Sequence, residues 1–118
     1  MTRNLNEKLG DRLKRMRSQR NLGLRETANK VGISATYLSR IENNLEPSPP
    51  SEEKIRRLAE VLEDDFDELM RLADRLPSDV SEIIKADSDM PAFLRRAKES
   101  NYSAKDLLDF LESKKRDN

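Results

Sequence analysis

Residues 25–44 read Arg-Glu-Thr-Ala-Asn-Lys-Val-Gly-Ile-Ser-Ala-Thr-Tyr-Leu-Ser-Arg-Ile-Glu-Asn-Asn and leave the backbone few choices. They predict two short helices joined by a tight turn. Gly32 ends the first helix where the chain must enter the left-handed region, which glycine does without steric cost. Ser34 can cap the second helix through its side-chain oxygen. Ala28 is small enough to let the two helices pack closely. Ile33, Leu38 and Ile41 fall where the second helix must bury a face. The same spacing leaves Ala35, Thr36, Ser39 and Arg40 pointing outward.

The rest of the chain must supply a core for this pair from little apolar material. Of 118 residues, 35% are hydrophobic and 39% charged. Helices suit such a composition, because each needs only one apolar stripe. Gly is scarce, and the five Pro stand at segment edges, which argues against an all-β fold. With neither His nor Cys, disulfides, thiolate metal sites, zinc catalysis and the usual Ser-His-Asp or Cys-His chemistries are excluded. No cofactor is expected. No apolar run approaches the roughly 20 residues of a membrane span. The polar start, Met-Thr-Arg-Asn-Leu-Asn-Glu-Lys, does not read as a signal peptide. A cytoplasmic location with no membrane partner is therefore expected.

Periodicity extends the helical reading in both directions. Leu9, Leu13 and Met16 predict a first helix over residues 6–19. The motif helices follow over 24–31 and 35–43, and Asn44 suits a left-handed terminus. Pro47, Pro49 and Pro50 force a loop. Ser51 with Glu52 and Glu53 opens a fourth helix, with Ile55, Leu58, Ala59 and Leu62 inward. Asp64 or Asp65 can cap a fifth, with Phe66, Leu69, Met70, Leu72 and Ala73 on its apolar face. The acidic run Glu63-Asp64-Asp65 is read as helix capping rather than a metal site. Beyond Leu76-Pro77, three shorter patterns follow. Val80, Ile83 and Ile84 mark the first. Pro91 at the first position, with Phe93, Leu94 and Ala97, marks the second. Ser103 and Asp106 resemble a capping box opening the third, which carries Leu107, Leu108, Phe110 and Leu111. Such short helices are marginal alone and need packing partners.

Charge divides the chain although its net value is zero. Residues 1–50 carry ten Lys/Arg against five Asp/Glu, a surplus of +5, and residues 51–118 carry −5. The basic part contains the two-helix motif and can release counterions from a phosphate backbone. A helix-turn-helix on a basic surface is a device for placing one helix in the DNA major groove.

Ordered motifs from Leu9 to Met70 give this reading a family. They are Arg12-Leu13-Lys14-Arg15-Met16-Arg17, Val31-Gly32-Ile33-Ser34, Tyr37-Leu38-Ser39-Arg40-Ile41-Glu42, Pro49-Pro50-Ser51-Glu52-Glu53, Leu58-Ala59-Glu60-Val61-Leu62 and Phe66-Asp67-Glu68-Leu69. The chain resembles the Xre family of helix-turn-helix regulators, which includes the phage lambda and 434 repressors and Cro. The resemblance implies an all-α fold: a five-helix lambda-repressor-like DNA-binding domain over residues 1–76, then short C-terminal helices over 77–118. It departs from the family where Gly23 replaces a capping Thr or Ser, where Leu24 replaces a phosphate-binding Gln, and where Thr27 replaces a core Leu.

The family pattern places base contacts at Ala35, Thr36 and Arg40, with Ser39 close enough to assist. Thr36 can hydrogen-bond a base edge and touch a thymine methyl. Arg40 suits either bidentate guanine recognition or a phosphate. Tyr37 suits either a phosphate or packing on the preceding helix. Asn43 and Asn44 suit phosphate contact or capping, or both. Ser34, Lys14, Arg25 and Lys30 complete the expected backbone-binding set, the three cations being equally suited to free surface charge. The family also pairs an Arg late in the first helix with the Glu ending the third, which implies a structural ion pair between Arg17 and Glu42.

The implied function is a non-enzymatic, sequence-specific transcriptional regulator, most simply a repressor bound to an inverted repeat of double-stranded DNA as a homodimer. The alternative is an antitoxin that represses its own operon and holds a toxin through residues 77–118. A third possibility is a repressor whose C-terminal segment is cut by a peptidase.

Overall fold

Helix boundaries follow the capping chemistry closely. The computed structural model describes residues 7–116, and among these every regular element is an α-helix. The order is α1 Leu9–Gln19, α2 Leu24–Val31, α3 Ala35–Glu42, α4 Glu52–Leu62, α5 Phe66–Leu72, α6 Ser78–Ala86, α7 Met90–Glu99 and α8 Ala104–Arg116. None is long and apolar enough to cross a membrane. Backbone contacts divide the chain into two units, one ending at Pro77 and the other starting at Ser78.

The first unit is built from α1–α5. Leu13, Ala28, Val31, Leu38, Ile41, Ile55, Leu58, Ala59, Leu62, Leu69, Met70 and Ala73 form one buried cluster, so every helix contributes to a single core. α3 packs against both α1 and α2, and α4 packs against α2 and α5. Leu38, Ile55 and Leu69 are fully enclosed. Burying a side chain of this size contributes about 1.5–3 kcal/mol. Thr27, standing where a Leu was expected from the family pattern, is also buried. Its hydroxyl donates to the Gly23 carbonyl at 2.9 Å, which removes the penalty of an unpaired polar group.

All five helices of this unit close in the same way. A residue one or two positions past each end adopts a positive φ: Asn21 (55°), Gly32 (84°), Asn44 (57°), Glu63 (51°) and Asp74 (58°). In each case the next amide reaches back to a carbonyl five residues earlier. Leu22 binds Arg17, Ile33 binds Ala28, Leu45 binds Arg40, Asp64 binds Ala59 and Arg75 binds Met70, all at 2.9–3.0 Å. This is the Schellman closure, which satisfies carbonyls the helix itself leaves open.

Several expectations need correction in detail. The first helix begins at Leu9, with Lys8 at its N-cap, rather than at residue 6; Asn6 lies outside the described residues. At this start Gly10 presses against α3 and its amide is occupied by the Asn44 side chain at 3.1 Å. The third helix ends at Glu42 and Asn43 is its C-cap. Of the two expected candidates for capping α5, Asp65 takes the role, accepting the Asp67 amide at 3.0 Å. Pro91 occupies the second rather than the first position of α7.

The second unit, α6–α8, has well-formed ends. Ser103 and Asp106 exchange hydrogen bonds at 2.9 and 3.0 Å, the reciprocal pattern of a capping box. Among the unit's described residues none is buried. Ile83, Phe93, Leu108, Phe110 and Leu111 are each at least half exposed.

Candidate nucleic-acid interface

The turn between α2 and α3 fixes where α3 points. Gly32 lets the chain reverse, and its amide and that of Ile33 close α2 onto Ala28. Ser34 then starts α3, its hydroxyl oxygen accepting the Tyr37 amide at 3.0 Å. At the far end, the amide of Leu45 returns to the Arg40 carbonyl. A helix of only two turns is thus fixed at both ends while Leu38 and Ile41 lock its inner face.

An ion pair sets the position of α3 against α1. Arg17 donates from Nε to Glu42 Oε2 at 2.8 Å and from Nη2 to Oε1 at 3.0 Å. Its Nη1 binds the Leu22 carbonyl at 2.9 Å. Glu42 is buried, and the Arg17 guanidinium is held above its ordinary pKa chiefly by the hydrogen bond to that carboxylate. The fork geometry and a hydrogen bond from each of the three guanidinium nitrogens are what make such a pair tolerable in a low dielectric.

Of the four outward residues, Thr36 and Arg40 are exposed. Ala35 and Ser39 are half-buried, so they correct the expectation that all four face out freely. Ala35 touches the core because it sits in the first turn, next to the packed Gly32-Ile33 connection. Arg40 donates from Nε to Glu46 Oε1 at 2.7 Å and more weakly from Nη2 to the Leu45 carbonyl at 3.4 Å. Tyr37 packs its ring against the core, with the Lys54 ammonium 5.0 Å from the ring centroid. Burial, and secondarily the charge of Glu46, raise the Tyr37 hydroxyl above its ordinary pKa, so it remains a neutral donor.

The two asparagines are structurally engaged. Asn43 Nδ2 donates to the Ser39 carbonyl at 2.8 Å. Asn44 Oδ1 accepts the Gly10 amide. Their side chains therefore act as ties within the chain, one capping α3 and the other joining it to α1. Lys14 and Arg25 are exposed and, among the described residues, make no ion pair. Lys30 lies 3.8 Å from Glu26 on the same helix face. That exposed i,i+4 pair is weak enough to exchange for another anion.

The acidic run has three separate tasks. Glu63 pairs with Arg20. Asp64 takes both Nε and Nη2 of Arg12, at 2.9 and 2.7 Å, and Asp65 caps α5. Four ties were not read from the sequence: Gly10 on α3, Arg12 on Asp64, Arg40 on Glu46, and Arg75 on the Pro49 and Pro50 carbonyls at 3.1 and 2.7 Å. Only Gly10 left a signal, as a glycine inside a helical pattern.

This two-helix unit on a rigid five-helix frame defines a helix-turn-helix protein. Residues 10–75 match the helix-turn-helix domain family. The HTH-type transcriptional regulator SinR of Bacillus subtilis (strain 168) is 30% identical over 107 residues, covering 91% of this chain and 92% of that protein. The SinR of Bacillus licheniformis is 31% identical over the same shares. A crystal structure of SinR, the master regulator for biofilm formation, in complex with DNA is 34% identical over 52% of this chain and 97% of that one, with a TM-score of 0.49. The chain belongs to the helix-turn-helix family of DNA-binding transcriptional regulators. These relatives are named as regulators, which gives the antitoxin reading no support.

Proposed function

We propose that this chain is a repressor that binds an inverted repeat as a homodimer, through α3 in the major groove. Its work is binding rather than catalysis. The observation that carries this reading is the fixed placement of α3, capped at both ends and keyed to α1 by Arg17 and Glu42, with Thr36 and Arg40 exposed on its outer face. In this reading Ala35, Thr36, Ser39 and Arg40 face base edges. Lys14, Arg25, Lys30, Ser34 and Tyr37 hold phosphates, because each offers a donor that the fold does not consume. Asn43 and Asn44 reach phosphate only by giving up the ties described above. Phosphate contacts supply affinity and base contacts supply choice. One small domain covers little DNA, so two copies on half-sites about one helical turn apart, on the order of 10 bp, are needed for tight binding. Residues 78–118, with their exposed apolar side chains, are the proposed dimerisation segment.

The test is a binding series on DNA from upstream of the chain's own gene and on an unrelated fragment, across salt concentrations. The expected result is tight, steeply salt-dependent binding to the first, lost on Arg40→Ala. Equal weak binding to both at every salt would sink the reading.

A further inference from the structure

The partner of Arg40 is unusual for a base-reading side chain: a glutamate six residues later in the same protein. A surface ion pair of this sort is ordinarily worth little, but the surroundings here are not those of a free surface pair. Leu45 is fixed by the hydrogen bond that its amide donates to the Arg40 carbonyl at 2.9 Å. Just beyond, the guanidinium of Arg75 grips the carbonyls of Pro49 and Pro50. Glu46 thus lies on a stretch of backbone anchored on both sides. Its side chain is 23% exposed, against 49% for that of Arg40, so the carboxylate is the seated member of the pair.

The donor pattern on Arg40 is selective. Its Nε edge is taken by Glu46 at 2.7 Å, and Nη2 leans on the Leu45 carbonyl at 3.4 Å. Among the described residues Nη1 makes no hydrogen bond, and Nη2 makes only that long one. Those two donors form the end-on fork that matches guanine O6 and N7.

Resting on the reading that α3 enters the major groove, we propose that Glu46 is a positioning residue for base recognition: it holds the side edge of Arg40 so that the end-on fork is presented to a guanine. An arginine restrained in this way loses less side-chain freedom on binding. The same carboxylate sits beside an approaching phosphate backbone, where its charge repels DNA of every sequence. The two effects have opposite signs. Removing Glu46 therefore lowers discrimination while raising general affinity, a combination that a merely structural contact does not produce.

The experiment begins by selecting duplexes from a pool with a randomised central segment, using the full chain and its Arg40→Ala variant. The guanine that the parent enriches and the variant does not is the one Arg40 reads. Dissociation constants are then measured for the selected duplex, for the same duplex with that G·C pair replaced by A·T, and for an unrelated duplex. The proteins are the parent, Glu46→Ala and Glu46→Gln, each checked for an unchanged melting temperature. The parent is expected to prefer G·C by roughly tenfold or more. Glu46→Ala should lose most of that ratio and bind the unrelated duplex several-fold more tightly at low salt. Glu46→Gln, which keeps an acceptor without the charge, should retain more of the ratio. A ratio unchanged in Glu46→Ala overturns the proposal, and so does a sharper one, which would make Glu46 a competitor of the base. The same guanines enriched by Arg40→Ala would also overturn it. No sequence enriched by the parent would instead overturn the DNA-reading assignment, a distinguishable failure.

Discussion

The two units have similar helices and very different interiors. α1–α5 and α6–α8 both carry apolar residues at helical spacing and side-chain caps, at Ser34, Ser51 and Asp65 in one and Ser103 in the other, yet among the described residues only the first unit buries any. The difference lies in the reach of the side-chain ties. In the first unit Arg12 binds Asp64, 52 residues away, Gly10 binds Asn44, 34 away, and Arg17 binds Glu42, 25 away. In the second, the bonds from the Asp89 amide to the Asp87 carboxylate, between Ser103 and Asp106, and from Lys105 to Asp109 are all local. Periodicity and capping specify helices. Close approach and paired charges across the sequence specify how helices assemble.

The largest break in that comparison comes from the smallest change. A Cβ on Gly10 would collide with the carbonyls of Ile41 and Glu42 and with Asn44 Oδ1. Two of these obstacles are backbone, so they cannot swing aside. Helix propensity alone favours Ala over Gly by about 1 kcal/mol. The collision reverses the sign, and Gly10→Ala should destabilise the first unit by about 3 kcal/mol. Chemical denaturation checks this; a rise in stability would show that α1 and α3 need no close approach.

Glu42→Ala ranks second. It strands the Arg17 guanidinium beneath α3, and loss of one partner from a fully buried pair costs about 3–5 kcal/mol. Arg17 keeps its bond to the Leu22 carbonyl and some access to water, so about 2–3 kcal/mol is expected. The double change Arg17→Met with Glu42→Leu should recover most of it, while leaving the local helices of the second unit untouched. If the double variant is as unstable as the single one, the cost arises from packing rather than from the orphaned charge.

A gain is available at Glu63, where a side chain sits at φ 51° although glycine is the natural occupant. Glu63→Gly should stabilise by about 0.5–1 kcal/mol, less the small contribution of its exposed pair with Arg20. The equivalent Asn101→Gly at the end of α7 should change local helicity without moving the cooperative unfolding midpoint. A shift of that midpoint would mean that the second unit shares the first unit's core.

How the sequence conveyed all this depends on the range of each interaction. The turn at Gly32 and Ser34, the core positions Leu38, Ile41, Ile55 and Leu58, and the capping residues Ser51 and Ser103 were legible because each acts within a few residues. Glu63 and Asp74 were not, because their left-handed backbone is imposed by the closure of α4 and α5 rather than preferred by Glu or Asp. The engagement of Arg40 by Glu46 was equally hidden. It depends on where the proline loop runs, and that loop is held by Arg75 from the far end of the unit. The base-facing set illustrates both cases. Thr36 and Arg40 are exposed as helical spacing requires, whereas the partial burial of Ala35 and Ser39 follows from tertiary contacts that spacing does not encode.

The smallest effect tests the local character of the second unit by pH. Asp106 accepts the Ser103 amide at 2.9 Å, and its backbone amide donates to the Ser103 hydroxyl at 3.0 Å. The bonds with Ser103, the backbone one first, hold its carboxyl below the ordinary carboxylate range. A depressed folded pKa means that ionised Asp106 supports the helix start at neutral pH. That support is complete above the unfolded value, near pH 4, and disappears as pH falls through the lower folded value. Protection of the amides in the first turn of α8, taken as the observed exchange rate relative to the unstructured-chain rate at the same pH, should therefore fall on acidification in the parent chain. In Asp106→Asn that protection should already be lower at neutral pH and should change little as pH falls below 4. The stability of the first unit is expected to be the same in both proteins throughout, because the Ser103 box acts over three residues. Parallel loss of the first unit's stability in Asp106→Asn would show that α8 supports more than its own first turn.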